Sequence, residues 1–321
     1  MPDPRTVITI GNFDGVHVGH AALVRRAVEL ARPIGARVLV MAFDPHPMTR
    51  LKPEASPTRL TTFEHRSELL RASGADDVIK LEPRDELLSL APEQFVRTLL
   101  LPHRPAWVVE GSDFHFGKGR AGNVRVLAEL AAAMGFGADV VAPVEVGLTD
   151  HQIVTASSTI ARWLITHGRV RDAAVVLGRP YQLRGTVVKG DQRGRTIGFP
   201  TANLETEQLL PATGVYGAIA RLEDGREFTA AINVGTRPTF NGHGRRLEAH
   251  FLDVRAGELP EYGWPVAIDV IGFVRDDVKF DSVARLTDQI GRDCRAVRTM
   301  ISDARAHAAS GHVPAGAGIN A

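Results

Sequence analysis

Residues 11–20 read Gly-Asn-Phe-Asp-Gly-Val-His-Val-Gly-His and follow directly on the apolar run Val7-Ile8-Thr9-Ile10. A short β-branched run ending in glycine predicts a buried strand meeting a turn. From His20 onward Ala22, Leu23, Ala27, Val28 and Leu30 recur with helical period. The segment is therefore a strand-to-helix corner, which commits this part of the chain to an α/β unit. At such a corner Gly11, Gly15 and Gly19 let backbone approach a ligand closely, and the helix N-terminus offers free N–H groups and partial positive charge to an anion. His17 and His20 stand three apart. With a helix start near Val16 they share a face and present two imidazoles to phosphoryl oxygens. The same spacing also suits two metal ligands or a plain surface pair.

The corner opens a longer alternation. Apolar runs near 6–10, 37–43, 77–81, 106–110 and 138–142 predict strands, and amphipathic stretches near 20–32, 63–73, 92–100 and 123–134 predict helices, the pattern of βαβ units on a parallel sheet. Ligands of such sheets sit beyond the carboxyl ends of the strands. Two further strand exits carry polar groups there, Phe43-Asp44-Pro45-His46-Pro47 and Glu110-Gly111-Ser112-Asp113-Phe114-His115-Phe116-Gly117. After helices near 157–166 and 170–177 the character changes at Leu177-Gly178-Arg179-Pro180. Strand patterns near 182–189, 214–222, 227–235, 246–254 and 265–273, separated by glycine-rich turns, predict a small antiparallel sheet or barrel, closed by a helix near 281–307. The expected division is thus residues 1–178, residues 179–307, and a disordered Gly/Ala-rich tail over 308–321.

At 321 residues the chain has room for two cores, and its formal net charge of +1 carries no polyanion-binding excess, so no nucleic-acid partner is expected. The N-terminus lacks an apolar signal core and no apolar run is long enough to span a bilayer, which sets cytoplasmic residence and no membrane partner as the expectation. Self-association stays open. The single cysteine, Cys294, allows neither an intrachain disulfide nor a thiolate metal cluster.

Taken whole, the 11–20 string resembles the G-x-F-D-G-x-H-x-G-H signature of the nucleotidyltransferase module in bacterial bifunctional riboflavin kinase/FAD synthetases. The resemblance implies that Gly11, Asn12, Phe13 and Asp14 line an ATP phosphate site, where His17 and His20 contact phosphates as pyrophosphate leaves. Read from the residues alone, Asp14 is either a turn cap or a group acting on nucleotide or metal. Gly111 to Gly117 resembles the family's G-x-N/D-F-x-F-G segment, which gives Asp113 a role in binding flavin nucleotide or ATP; otherwise Asp113 is a loop cap and its flanking phenylalanines belong to the core. Ser157-Ser158-Thr159 and Arg162 place hydroxyls and a fixed cation at a helix start. They resemble the family's S-S-T-x-I-R motif, which grips the triphosphate through Ser158, Thr159 and Arg162, with departures at Ile160 and Ala161.

A second constellation spans 189–203, Lys-Gly-Asp-Gln-Arg-Gly-Arg-Thr-Ile-Gly-Phe-Pro-Thr-Ala-Asn. Gly190, Gly194 and Gly198, interleaved with Lys189, Arg193 and Arg195, make either a phosphate-cradling loop or an ordinary basic hairpin turn. Pro200 biases Phe199 towards extended geometry, and in an extended chain Thr201 and Asn203 project to one side, a hydroxyl and an amide oxygen suited to Mg²⁺ or to satisfying a turn. The string Gly198-Phe199-Pro200-Thr201-Ala202-Asn203 matches the ATP–Mg²⁺ motif of riboflavin kinases, and the likeness continues through Gly214-Val215-Tyr216, Asn233 to Thr239 and Leu247 to Asp253. By that resemblance Gly190, Arg195, Gly198, Phe199 and Pro200 bind ATP, Thr201 and Asn203 hold the metal, and Glu248 is the catalytic base. In a strand Glu248 and His250 share one face while Leu247, Ala249 and Phe251 share the other.

The expectation is a bifunctional enzyme with ATP and Mg²⁺: riboflavin phosphorylated to FMN in the C-terminal part, and FMN adenylylated to FAD, with release of pyrophosphate, in the N-terminal part. Two other readings stay open, a riboflavin kinase whose first domain is idle or differently specific, and a flavin-binding regulator without catalysis.

Overall fold

The computed structural model describes residues 5–190, 194, 198–239, 242–254 and 258–309. It divides the chain into two compact units, Met1–Glu145 with Thr155–Ser158, and Val146–Val154 with Thr159–Ala321.

The first unit is built on five parallel strands, β1 (Thr6–Gly11), β2 (Arg37–Phe43), β3 (Asp77–Leu81), β4 (Pro105–Gly111) and β5 (Gly137–Val141), in the spatial order β3-β2-β1-β4-β5. The apolar runs of β1, β2 and β4 are covered on both faces, which is why they read as continuous rather than alternating. On one face Val7, Val38 and Val40 pack against Val24 and Ala27 of α1 (Val18–Ala31) and Leu70 of α2 (Phe63–Ala72). On the other, Ile8, Met41 and Val108 meet Phe95 of α3 (Pro92–Phe95), Leu100 in the wider turn that follows, and Leu127 of α4 (Val124–Met134). The helices start where the sequence offers caps. The Thr62 hydroxyl accepts from the His65 amide, and the Asn123 side chain accepts from the amides of Arg125 and Val126. The order places β1 between two strands reached from opposite directions, so the crevice beyond the carboxyl ends of β1 and β4 is the topological switch point.

The second unit holds α5 (Ser158–Thr166), which begins at the last residue of the first unit, α6 (Val170–Leu177) and six antiparallel strands: β6 (Tyr181–Val188), β7 (Ala202–Glu205), β8 (Gly214–Arg221), β9 (Glu227–Thr239), β10 (Gly242–Phe251) and β11 (Pro265–Arg275). They close as a barrel in the order β6-β7-β10-β9-β8-β11. Tyr181, Leu183, Tyr216, Ile232 and Val234 are buried within it, and α7 (Val283–Ala309) lays Val297 and Ile301 against Ile219 and Leu252. Leu164, Ile165, Ala173 and Val176 are fully buried and the Ile165 carbonyl accepts from the Ala212 amide, so α5 and α6 are packed into this unit. The compact units therefore part ahead of these two helices, upstream of residue 178. The final helix runs to Ala309, and the tail beyond it lies outside the described residues.

Candidate active sites

The β1–α1 corner is tighter than its sequence indicated. Phe13, Gly15 and Val16 all take positive φ (49°, 82° and 41°), and the Val16 amide closes a turn on the Phe13 carbonyl at 3.0 Å. A β-branched residue in the left-handed region cannot belong to a right-handed helix, so α1 begins at Val18, two residues beyond Val16. His17 is then its N-cap: in extended conformation, its Nδ1 accepts from the His20 amide at 3.4 Å. The two imidazoles stack with centroids 3.6 Å apart, and His20 rests edge-on against the buried ring of Phe13. The pair thus stands at the helix N-terminus as a stacked unit, where free amides and the helix dipole favour an anion.

What holds the corner is a buried polar network. Both oxygens of Asp14 accept from the Leu60 amide, and Oδ1 also accepts from the Thr61 amide and hydroxyl, at 2.9–3.1 Å. Arg66, buried on α2, donates Nη1 to the carbonyls of Asn12 and Phe43, both at 2.8 Å, and pairs with Asp14 at 3.7 Å and Asp44 at 3.5 Å. Lys80 adds an ion pair to Asp44 at 2.8 Å. One guanidinium therefore ties the ends of β1 and β2 together. Ser158 Oγ donates to the Asp14 carbonyl at 2.7 Å.

Beyond these strand ends opens a crevice of about 1030 Å³, lined by Gly11, Asn12, Phe13, His17 and His20 together with Glu110 and the 111–117 loop. That is the size range of a site for a small molecule or nucleotide. The Asn12 Oδ1 is buried with no hydrogen-bond partner among the described residues. Glu110, at the end of β4, accepts the Ile10 amide at 2.7 Å; burial pushes its carboxyl well above the usual carboxylate range, Asp113 adds to the rise, and the Ile10 amide opposes it. Asp113 is exposed at the crevice, where its carbonyl is 2.8 Å from His115 Nδ1, while Phe116 belongs to the core.

On the barrel, register does the positioning. Asn203 of β7 is paired directly with Glu248 of β10, and Glu248 in turn with Asn233 of β9. Leu247 and Ala249 face the interior, so Glu248 projects outward, where Arg246 Nη2 lies 3.0 Å from its Oε1. Gly190 passes so close to Asn203 that a Cβ would lie 1.8 Å from the amide nitrogen. His250 Nδ1 is 2.8 Å from the Pro200 carbonyl and its ring meets Phe199 edge-on, fixing the chain that leads into Thr201 and Asn203.

The structure thus brings Gly11 to Asp14, His17, His20, Asp113 and Ser158 into one unit, with Phe13 and Asp14 directed into its interior. Thr159 and Arg162 fall on α5 in the barrel unit, the latter half-buried. Gly190, Gly198, Phe199, Pro200, Thr201, Asn203 and Glu248 are gathered on that unit, whereas Arg195 lies outside the described residues. Sequence reasoning quoted Glu110 and Asn233 only within longer segments, without a role, and passed over Arg66 and Arg246. Glu110 had a signal, a carboxylate ending a buried apolar strand; Arg66 had none, because apart from the nearby Thr61 carbonyl the groups it meets on Asn12, Phe43 and Asp44 are 22 and more residues away.

Residues 2–157 match the FAD synthetase family and residues 177–301 the riboflavin kinase family. The bifunctional riboflavin kinase/FMN adenylyltransferase of Escherichia coli K12 is 35% identical over 91% of both chains, that of Listeria monocytogenes 33% over 94% of both, and that of Bacillus subtilis 32% over 90% of both. A Streptococcus pneumoniae crystal structure described as a macrolide-efflux protein aligns with a TM-score of 0.82 at 30% identity, covering 93% of this chain and 95% of that one. With both catalytic modules present in one chain and relatives matched over nearly their whole length, the protein belongs to the bifunctional riboflavin kinase/FMN adenylyltransferase family.

Proposed function

We propose that the two reactions of this enzyme, riboflavin to FMN and FMN to FAD, run at separate sites, each with its own ATP. In the first unit the triphosphate lies across the β1–α1 corner. His17 and His20 donate to its phosphate oxygens while the FMN phosphate attacks the α-phosphorus in line, forming one P–O bond as the bond to pyrophosphate breaks. The protein's share is positioning and charge stabilisation rather than covalent chemistry. Asp14 and Arg66 contribute by fixing the corner, Asn12 Oδ1 is an acceptor for a ligand N–H, and the crevice at Asp113 takes the acceptor nucleotide. By the family motif Ser158, in the same unit, is assigned to the triphosphate.

In the barrel, Glu248 takes the proton of the ribityl 5′-hydroxyl as that oxygen attacks the γ-phosphorus and ADP leaves. Arg246 orients the Glu248 carboxylate before substrate arrives. Gly190, Arg195, Gly198, Phe199 and Pro200 are assigned to the nucleotide. The hydroxyl of Thr201 and the amide oxygen of Asn203 fit Mg²⁺, a hard cation held by few protein oxygens and completed by phosphates and water. No group of three or more acidic, histidine or cysteine ligands competes for that role among the described residues. Bound there, the cation would neutralise charge developing on the transferred phosphoryl group. A cytoplasmic setting supplies both riboflavin and ATP.

The observation that carries this reading is the register of β7 and β10, which pairs Glu248 directly with Asn203. Incubation of riboflavin with the purified protein, ATP and Mg²⁺, followed by chromatography, is expected to yield FMN and then FAD. Accumulation of FMN without FAD would reduce the reading to a kinase, and unchanged riboflavin would overturn it.

A further inference from the structure

The row that begins at Asn203 and Glu248 does not end there. Asn233 is the direct partner of Glu248 across β9 and β10, and Val215 and Arg275 continue the line across β8 and β11. Directly paired residues of antiparallel strands project from the same face with Cβ atoms about 5 Å apart. Ile232 and Val234, on either side of Asn233, are wholly buried in the barrel interior, so Asn233 must share the outer face with Glu248. The far end of the row is closed by Arg275, whose guanidinium grips Asp293 of α7 at 2.8–3.0 Å. Asn233 is thus the innermost polar group of the row that retains acceptor capacity.

That capacity is unused. Asn233 Oδ1 is out of contact with solvent and has no hydrogen-bond partner among the described residues. Such an atom is costly to leave unsatisfied, and a native structure that keeps one calls for a donor to meet it. The donor must come from a molecule lying along the row, because the neighbouring side chain, Glu248, is itself committed to accepting a proton.

On the reading of the barrel as the riboflavin kinase site, we infer that Asn233 is a substrate-binding residue whose amide oxygen accepts an inner hydroxyl of the ribityl chain while Glu248 receives the terminal one. Paired residues on adjacent strands stand about 5 Å apart, and an extended polyol presents a hydroxyl on each successive carbon, so one chain reaches both groups. The contact aligns the 5′-oxygen by anchoring the carbons behind it, and it discriminates a polyol from a plain hydroxyalkyl chain. A site with a buried acceptor rejects the analogue that lacks the matching hydroxyl, because the acceptor is then left orphaned.

The test pairs the protein with its substrate. Kinase kcat/KM is measured for wild type, Asn233→Ala and Asn233→Ser with riboflavin and with a flavin bearing a 5-hydroxypentyl chain, which keeps the reacting hydroxyl and lacks the inner ones. The melting curve of each preparation, followed by calorimetry, reports that the variant is folded. Asn233→Ala is expected to lower kcat/KM for riboflavin at least tenfold, chiefly through KM, and to change it less than twofold for the hydroxypentyl analogue; Asn233→Ser, which restores an acceptor, recovers part of the loss. An equal loss on both substrates assigns Asn233 a structural role and overturns the inference, as does an unchanged riboflavin kcat/KM. A wild-type protein that phosphorylates neither flavin would instead sink the kinase reading itself.

Discussion

Glu110 shows how one carboxyl shapes the crevice. The β1–β4 ladder is last registered at Ile8 and Val108, and two residues on the Glu110 side chain replaces a backbone carbonyl as the acceptor for the Ile10 amide. The strands can then part where the crevice opens. Burial raises the Glu110 pKa above its ordinary value of 4.5, so the folded state holds a proton that the unfolded chain has released. Stability contributed by this proton is complete below about pH 4.5 and is lost as the pH climbs towards the raised value. Glu110→Gln keeps the acceptor for Ile10 and carries no proton to lose. Its melting temperature, followed by calorimetry, is therefore expected to gain on wild type as the pH rises from 5 to 8; a constant difference across that range would refute the claim. His17 and His20 were legible from spacing, yet their arrangement was not. The positive φ of Val16, which makes His17 a cap rather than a helical residue, is imposed by the turn around Phe13 and the Asp14 anchor to residues 60–61, contacts that no local pattern encodes.

Whole elements divide along the same line. The five parallel strands and the helices between them were readable because each is long enough to show its period, and the five longer barrel strands stood out for the same reason. The sixth, β7, is four residues long and bears no alternation of its own; it is a strand because β6 and β10 flank it. The site depends on that non-local fact, since Asn203 faces Glu248 only through the β7–β10 register. Two glycines in this region test the distinction. At Gly190 a Cβ would meet the mobile end of Asn203, so Gly190→Ala is expected to displace the amide and leave the fold intact. At Gly185 a Cβ would lie 2.1 Å from the Glu205 carbonyl oxygen, which is backbone, and Gly185→Ala must therefore strain the β6–β7 pair. Kinase turnover should fall about 100-fold in Gly190→Ala, the scale of a misplaced reacting group, with a melting temperature near wild type, while Gly185→Ala should melt earlier. A Gly190→Ala enzyme of normal turnover would show that Asn203 does not need its position.

At the scale of the molecule, each compact unit has its own buried core and its own polar constellation, so the two half-reactions are expected to fail independently. His20 is half-buried and stacks on His17 at the rim of the crevice, so removing its ring spares the packing of α1. His20→Ala is expected to convert riboflavin to FMN and stop there. Glu248→Gln preserves the shape of the side chain and removes the carboxylate proposed as base, so it should leave riboflavin untouched yet adenylylate FMN when FMN is supplied. Mixing the two variants in equal amounts then poses a sharper question. If FMN leaves the barrel site into solution before it is adenylylated, the His20→Ala chain feeds the Glu248→Gln chain, and FAD appears from riboflavin after a lag that shortens with protein concentration. That outcome is the one expected of two sites that each bind their own ATP and share only a soluble intermediate. Failure of the mixture to make FAD, with each variant competent in its own half-reaction, would mean that FMN passes within one chain, and its release as a soluble intermediate would have to be abandoned.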